Sequence, residues 1–155
     1  MRTEDIIKYY GEPGSNQVYC KLPYRMKLAW DTNVSISRFS CHKAVVYNIE
    51  SIFQEVLKAY GIEEVQKLGL DLFGGCLNIR KKRSGKDLSL HSWGLALDID
   101  PVRNKTHYRV SKVMKPTLAN EEYSTFWSIV EYYKGFSMGR QKDYDWMHFQ
   151  FVPIN

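Results

Sequence analysis

Two segments of the sequence combine a histidine with aspartates and aromatic residues. Residues 89–100 read SLHSWGLALDID and contain His91 and Asp98, and residues 143–151 read DYDWMHFQF and contain His148. Histidine nitrogen and aspartate oxygen both bind zinc, and three protein ligands leave a fourth tetrahedral position for water. The residue types therefore predict a catalytic zinc site. The alternative interpretation is that each histidine is buried and hydrogen-bonded to a neighbouring group.

A zinc hydrolase also needs a carboxylate that does not bind the metal. Zinc lowers the pKa of a water to ~7, and a free carboxylate can take the proton of that water and pass it to the leaving amine. Asp145 and Asp143 are both candidates for this role. Asp98 and Asp100 are both candidates for the metal ligand, because alternate residues share one face of a strand. The residue types leave both choices open.

The ligand candidates in the first segment can meet only if the chain bends between them. His91 and Asp98 are seven positions apart, and an odd spacing on a straight strand places two side chains on opposite faces. Gly94 allows a turn that would bring them together. Apolar and polar residues alternate over residues 95–100, which predicts a half-buried strand that ends at Pro101.

The second segment predicts a short terminal strand over residues 146–152. On a regular strand His148 shares a face with Trp146 and Gln150, whereas Asp145 points away. Asp145 can therefore reach the site only if it lies at the entrance to the strand, where the backbone turns.

The remaining histidines and the cysteines predict no second metal site. We interpret His42 as structural and His107 as exposed in a loop. The three cysteines, at positions 20, 41 and 76, form no Cys-x-x-Cys pair and cannot all pair in disulfides. We therefore expect buried or partly buried thiols, as in a reducing compartment.

Periodic segments predict the elements that support the site. Apolar residues recur at helical spacing in some of these segments and at strand-like spacing in others, and one long stretch shows neither. A glycine pair, Gly74-Gly75, indicates a bulge or bend inside one predicted strand. We expect an α+β domain with a mostly antiparallel sheet. The predicted elements are helices over residues 3–10, 44–60 and 120–134, a strand over residues 70–79, and a long loop near the site over residues 103–119.

The composition fits one folded domain. The chain has 155 residues, of which 44% are hydrophobic and 14% aromatic, enough for a substantial core. We assign residues 1–155 to a single domain. An apolar run of 18 or more residues is absent from the sequence, and the first residues lack the apolar stretch of a secretory signal. We therefore expect synthesis in the cytoplasm without a signal peptide.

The basic residues are unevenly distributed. The formal net charge is +5, and residues 80–86 contain five lysines and arginines. Such a cluster would suit a nucleic acid, an anionic polymer or a substrate carboxylate, or it is a solvated turn. Aromatic residues do not interleave with it, so we do not expect a nucleic-acid partner.

Taken together, the two segments resemble the zinc peptidases of bacterial cell walls. This family includes D-alanyl-D-alanine carboxypeptidases and dipeptidases, and the L-alanyl-D-glutamate endopeptidases of phage endolysins. Its pattern Ser-x-His-x-x-Gly-x-Ala-x-Asp is filled by residues 89–98, and the later Asp-x-x-His by residues 145–148. The resemblance extends upstream to the glycine pair and covers at least residues 74–151.

The resemblance implies a ligand set and a proton-transfer residue. It implies that His91, Asp98 and His148 hold one Zn²⁺ per chain, with Asp98 preferred over its neighbour at position 100. It places the catalytic acid and base at Asp145. Many members have glutamate there, whereas aspartate is found in the phage-type endopeptidases, which favours that branch.

The resemblance also implies substrate-binding residues and a fold. The family has an arginine near the site that stabilises the scissile carbonyl or binds a substrate carboxylate, and Arg80 matches it best by context, with Arg83 as the alternative. We assign Ser89 and Arg83 to substrate binding. The implied fold is a compact α+β domain of the Hedgehog and DD-peptidase type, with helices flanking a central antiparallel sheet.

The function implied is hydrolysis of a peptide bond in peptidoglycan stem peptides, of the L-Ala-D-Glu or D-Ala-D-Ala type. The alternative is a non-catalytic, zinc-stabilised module that binds cell wall. A separate wall-binding domain is not expected, and we expect a monomer. The enzyme would act on the wall after release, or on wall fragments in the cytoplasm.

Overall fold

One six-stranded mixed sheet organises the part of the chain that the structure describes. In the computed structural model, residues 1–82, 85 and 87–155 are described. The strands are β1 (Gln17–Leu28), β2 (Asp31–His42), β3 (Leu72–Gly75), β4 (Ala96–Ile99), β5 (Phe136–Ser137) and β6 (His148–Gln150). They lie in the order β2-β1-β3-β4-β6-β5. β1 and β3 are parallel, and the other neighbours are antiparallel.

Helices pack against this sheet and against one another. The longest helix, Val46–Tyr60, places a stripe of apolar side chains in the core. Among them, Ile49, Phe53 and Val56 are fully buried. This stripe follows the helical spacing seen in the sequence. The predicted α+β class with a mostly antiparallel sheet is confirmed. The helices are α1 (Thr3–Tyr10), α2 (Val46–Tyr60), α3 (Ile62–Lys67), α4 (Ser124–Tyr132) and α5 (Met138–Lys142).

The predicted helices are present, with differences of a few residues at their ends. α1 has the predicted bounds, and α2 ends before Gly61, whose φ of 77° favours glycine. The helix predicted from Asn120 begins with a 3₁₀ turn, Glu121–Tyr123, and continues as α4.

The β1–β2 hairpin is the main element that the sequence patterns do not predict. Pro23 interrupts β1, and the pairing register shifts between Lys21 and Met26. Both features break the alternation of apolar and polar residues by which a strand is recognised. β3 is shorter than predicted, and its register against β4 shifts between Phe73 and Gly75. The bulge expected at the glycine pair is confirmed.

The core is aromatic and contains the cysteines. Trp93, Trp127, Phe53, Phe126 and Phe149 are among the largest fully buried side chains. The three cysteines are buried free thiols, as predicted. None of the helices in the described residues is both long and apolar enough to span a membrane.

The two histidines outside the predicted site lie as expected. His42 is buried; its Nδ1 accepts a hydrogen bond from the backbone N–H of Ala44, and its Nε2–H donates to the carbonyl of Tyr10 at 2.8 Å. It therefore joins α1 to the end of β2. His107 is exposed.

Candidate metal centre

His91 lies in a tight turn that leads into the central strand β4. The turn is a 3₁₀ helix, Leu90–Trp93, whose first N–H groups are capped by the Ser89 hydroxyl, which accepts from the His91 N–H at 3.3 Å. Gly94 ends the turn with a φ of 67°. A Cβ at Gly94 would lie 2.9 Å from the backbone N of His42. The bend predicted from the glycine therefore depends on its conformation and on its lack of a side chain.

Asp98 and His148 are brought together by the register of the sheet. Asp98 is on β4 and His148 is directly opposite on the antiparallel strand β6. On the other side, Asp98 pairs with Gly75 of β3. A Cβ at Gly74 would lie 2.9 Å from the carbonyl oxygen of Asp98, so the glycine pair allows β3 to approach the strand that carries the aspartate.

The three side chains form one cluster of possible ligands. His91 Nε2 lies 3.2 Å from Asp98 Oδ2, and His148 Nδ1 lies 3.3 Å from Asp98 Oδ1. One ligand atom from each residue lies within 4.8 Å of the other two. Among the described residues, His91 Nε2 and Asp98 Oδ1 are buried and lack a hydrogen-bond partner. Buried polar atoms are nearly always satisfied, and a cation bound among these atoms would satisfy them.

The outer nitrogen of each histidine is fixed by a hydrogen bond. His91 Nδ1–H donates to the carbonyl of Cys76 at 2.8 Å, and His148 Nε2–H donates to Gln150 Oε1 at 2.9 Å. The Gln150 amide in turn donates to the carbonyl of Val152 at 2.7 Å, which orients its oxygen towards the histidine. Each ring therefore turns its other nitrogen towards Asp98. Metal-binding histidines are typically oriented in this way.

The charges in the cluster stabilise one another. Burial acts to raise the pKa of Asp98, but the charge of His91 and the close contacts with both histidine rings outweigh it, so the pKa lies below its usual value. Burial acts to lower the pKa of His148, but its contacts with Asp98 and the charge of Asp145 outweigh this effect and raise it. The aspartate therefore stays ionised, as a metal ligand must be.

Asp145 lies where the backbone turns into β6. Its φ is 51°, a left-handed conformation in which aspartate is enriched. Its N–H donates to the carbonyl of Thr106 at 2.9 Å, and its own carbonyl accepts from the His148 N–H at 3.0 Å. The long loop predicted over residues 103–119 thus holds this turn. The turn directs Asp145 into the cavity that the cluster lines.

The competing aspartates have other contacts. Asp100 has a φ of 48° and is 1% exposed, and its carboxylate accepts from Arg103 Nε at 2.7 Å. Asp143 accepts from the backbone N–H of Val110 at 2.8 Å and from Trp146 Nε1 at 2.9 Å. Neither aspartate lines the cavity. Both contribute to the structure around the site.

The cluster opens into a cavity of about 370 Å³. One part of its wall is basic, with Arg80 and Lys82, and another part is apolar, with Met138, Met147 and Ile154. The cavity therefore offers both a cation and an apolar surface near the candidate ligands.

Of the residues predicted to bind substrate, Ser89 and Arg80 line this cavity. The Ser89 N–H donates to the carbonyl of Arg80 at 2.9 Å. The backbone N–H of Arg80 donates to the Ser92 hydroxyl at 3.0 Å. Arg80 is thereby fixed to the turn that carries His91. Arg83 lies outside the described residues.

The structure adds residues that the sequence patterns do not assign to the site. Gln150 accepts a hydrogen bond from His148 of the cluster, and the carbonyl of Thr106 accepts one from the N–H of Asp145. For Gln150, its position on the same strand face as His148 was the available signal. For Thr106, which lies in a loop without periodicity, the sequence contains no such signal.

Comparison with known proteins finds a similarity to one peptidase family over part of the chain. Residues 82–151 match the family model described as D-alanyl-D-alanine carboxypeptidase. This segment includes His91, Asp98, Asp145 and His148 and is less than half of the 155-residue chain. No curated protein and no solved structure matches the chain. The match supports the resemblance to this family without distinguishing its endolysin branch.

Proposed function

We propose that this protein is a zinc-dependent peptidase that hydrolyses a peptide bond in peptidoglycan stem peptides, of the L-Ala-D-Glu or D-Ala-D-Ala type. The observation that carries the proposal is the cluster of His91, Asp98 and His148 beside a further carboxylate, Asp145, in one cavity. The match of residues 82–151 to a D-alanyl-D-alanine carboxypeptidase family supports the choice of substrate.

The proposed metal is one Zn²⁺ per chain. His91 Nε2, a carboxylate oxygen of Asp98 and His148 Nδ1 would hold it, because these atoms face one another and the outer nitrogens are already hydrogen-bonded. Three protein ligands from histidine and carboxylate are typical of catalytic rather than structural zinc sites. When bound, zinc supplies a Lewis acid and lowers the pKa of a water molecule.

Asp145 is proposed as the group that moves the proton. Its backbone turn directs it into the cavity, and its charge acts on His148. The carboxylate would accept a proton from the attacking water and return it to the leaving amine. Proton transfer by a positioned side chain typically contributes a factor of ~10²–10⁴ in rate.

The basic part of the wall is proposed to bind the oxygen atoms of the substrate. Arg80 would stabilise the negative charge that develops on the scissile carbonyl, or pair with a substrate carboxylate. Removal of one such donor in other enzymes costs about 2.7–4 kcal/mol. Ser89 would contact the substrate from the same side, and Arg83 remains the alternative to Arg80.

The proposal is tested by digestion of purified peptidoglycan, analysed by mass spectrometry. The zinc-loaded protein should release new fragments whose masses identify the bond, and a chelator should prevent their release until zinc is restored. If the protein binds zinc and sediments with the wall material but leaves the fragment profile unchanged, the proposed peptidase activity is contradicted. This result would favour the non-catalytic wall-binding module.

A further inference from the structure

The β1–β2 hairpin carries a basic surface that the proposed reaction does not use. We call it the hairpin face and define it by Tyr19, Lys21, Arg25, Lys27 and Arg38. All five residues are exposed, and none of them lines the cavity at the metal centre. Side chains alternate along a strand, and Cys20, Tyr24 and Met26, which lie between these residues in β1, are buried in the core.

Two cations of the hairpin face lie directly opposite each other. Lys21 pairs with Arg38 in the antiparallel register, and like charges in this position destabilise a sheet. Within the described ranges, neither side chain forms an ion pair. One acidic residue, Glu50, contacts the backbone here: its carboxylate accepts from the N–H of Lys21 at 2.8 Å. The hairpin thus concentrates positive charge where a purely structural strand pair would avoid it.

The guanidinium groups of this face are held in place before any partner binds. Arg38 stacks on the Tyr19 ring, 4.1 Å from its centroid. Arg25 Nε donates to the Ser35 hydroxyl at 3.0 Å. Fixed side chains lose less conformational entropy on binding. A planar guanidinium also matches the geometry of a phosphate group.

Lys27 is partly neutralised. Its Nζ lies 3.8 Å from Asp71, whose side chain is almost fully buried. The charge available to a partner is therefore mainly that of Lys21, Arg25 and Arg38.

We propose that the hairpin face binds a linear phosphodiester polymer that lacks bases, such as a polyol phosphate. Charge complementarity carries the choice of a polyanion. Single-stranded nucleic acids need a series of aromatic rings on which bases stack, whereas the hairpin face has one ring, that of Tyr19, with Arg38 stacked on one of its faces. Trp30, 66% exposed at the hairpin turn, is a single further ring. A polymer without bases needs no such series.

The test is binding of a fluorescent glycerol-phosphate oligomer to the full chain at several salt concentrations. In the K21Q/R38Q variant, the plot of log K against log salt should be shallower by about 1.4, because each phosphate that the protein no longer neutralises reduces the slope by about 0.7. The K21Q variant alone should show about half of this reduction. Because the oligomer contains no peptide, this result does not depend on whether the protein is a peptidase.

The K58Q/K67Q variant is the matched control. It removes the same charge from exposed positions at the ends of α2 and α3, and it should bind the oligomer as the wild type does. Equal weakening in both double variants would overturn the proposal, because net charge alone would then explain binding. Tighter binding of a single-stranded oligonucleotide with the same number of phosphates would also overturn it. The thermal midpoint of K21Q should equal or exceed that of the wild type, because the charge opposite Arg38 is removed while the stacking of Arg38 on Tyr19 is kept.

Discussion

Asp98 and His148 lie directly opposite each other on adjacent antiparallel strands, with Oδ1 of the aspartate 3.3 Å from Nδ1 of the histidine. Their distance is therefore set by the register of the sheet. A slip of one residue would move either side chain to the other face. Only His91 reaches the cluster from a turn, and that turn is closed by a glycine. The site is thus fixed by regular backbone structure.

Removal of the aspartate charge should abolish zinc binding. D98N keeps the shape of the side chain but removes the anionic ligand between the two histidines. In the wild type, free zinc at about 100 times its Kd should raise the free energy of unfolding by about 2.7 kcal/mol. Thermal unfolding with and without zinc measures this effect. The same zinc-dependent stabilisation in D98N would show that the metal binds elsewhere.

Gln150 should control the affinity for zinc without touching the metal. Its amide oxygen accepts from His148 Nε2–H, which fixes the tautomer whose Nδ1 faces Asp98. Removal of such a partner typically weakens metal binding ~10–100-fold, and we expect this weakening in Q150L. Q150E keeps an acceptor for His148 and should retain more affinity than Q150L. Competition with a chromophoric chelator measures both values, and wild-type affinity in Q150L would refute the role of this hydrogen bond.

Gly94 should not tolerate a side chain. Its φ of 67° and ψ of 32° are left-handed, which costs alanine about 1–2 kcal/mol. A Cβ at Gly94 would also lie 2.9 Å from the backbone N of His42 and 3.0 Å from the Cα of Cys41, and such overpacking costs about 1–3 kcal/mol. G94A should therefore lower the free energy of unfolding by about 2–5 kcal/mol. Urea unfolding measures this loss, and a loss no larger than the backbone strain alone, about 1–2 kcal/mol, would contradict the steric role of the glycine.

Asp143 should stabilise the protein in a pH-dependent manner. Hydrogen bonds from the backbone N–H of Val110 and from Trp146, with others from Ser111, lower its pKa from 3.8 to about 2. A lowered pKa in the folded state gives stability that is fully present above the unfolded pKa of 3.8 and is lost as the pH falls towards 2. The stability difference between wild type and D143N, measured by urea unfolding, should therefore shrink between pH 5 and pH 2. A constant difference over this range would contradict the role of the charge.

The parts of the site that depend on neighbouring residues could be predicted from the sequence. Alternation over residues 95–100 predicts β4, and Gly94 predicts the bend before it. The structure also turns at Asp145, as the spacing to His148 requires. Each of these features follows from backbone geometry over a few residues.

The remaining features depend on distant contacts. Asp98 and Asp100 share one face of the predicted strand, and their roles are separated by contacts with residues elsewhere: Asp98 lies opposite His148, and Asp100 forms an ion pair with Arg103. The β1–β2 hairpin escapes prediction because Pro23 and a register shift disrupt its alternation. Gln150 has no local signal for its hydrogen bond to His148 beyond a shared strand face.

The most direct test of the proposed peptidase compares wild type with D145N on soluble stem peptides, with zinc content measured on the same samples. We expect one zinc per chain in both proteins, because Asp145 is proposed to move a proton and not to bind the metal. We expect the rate of cleavage by D145N to fall by a factor of ~10²–10⁴. Cleavage at the wild-type rate by zinc-loaded D145N would contradict the proposed mechanism.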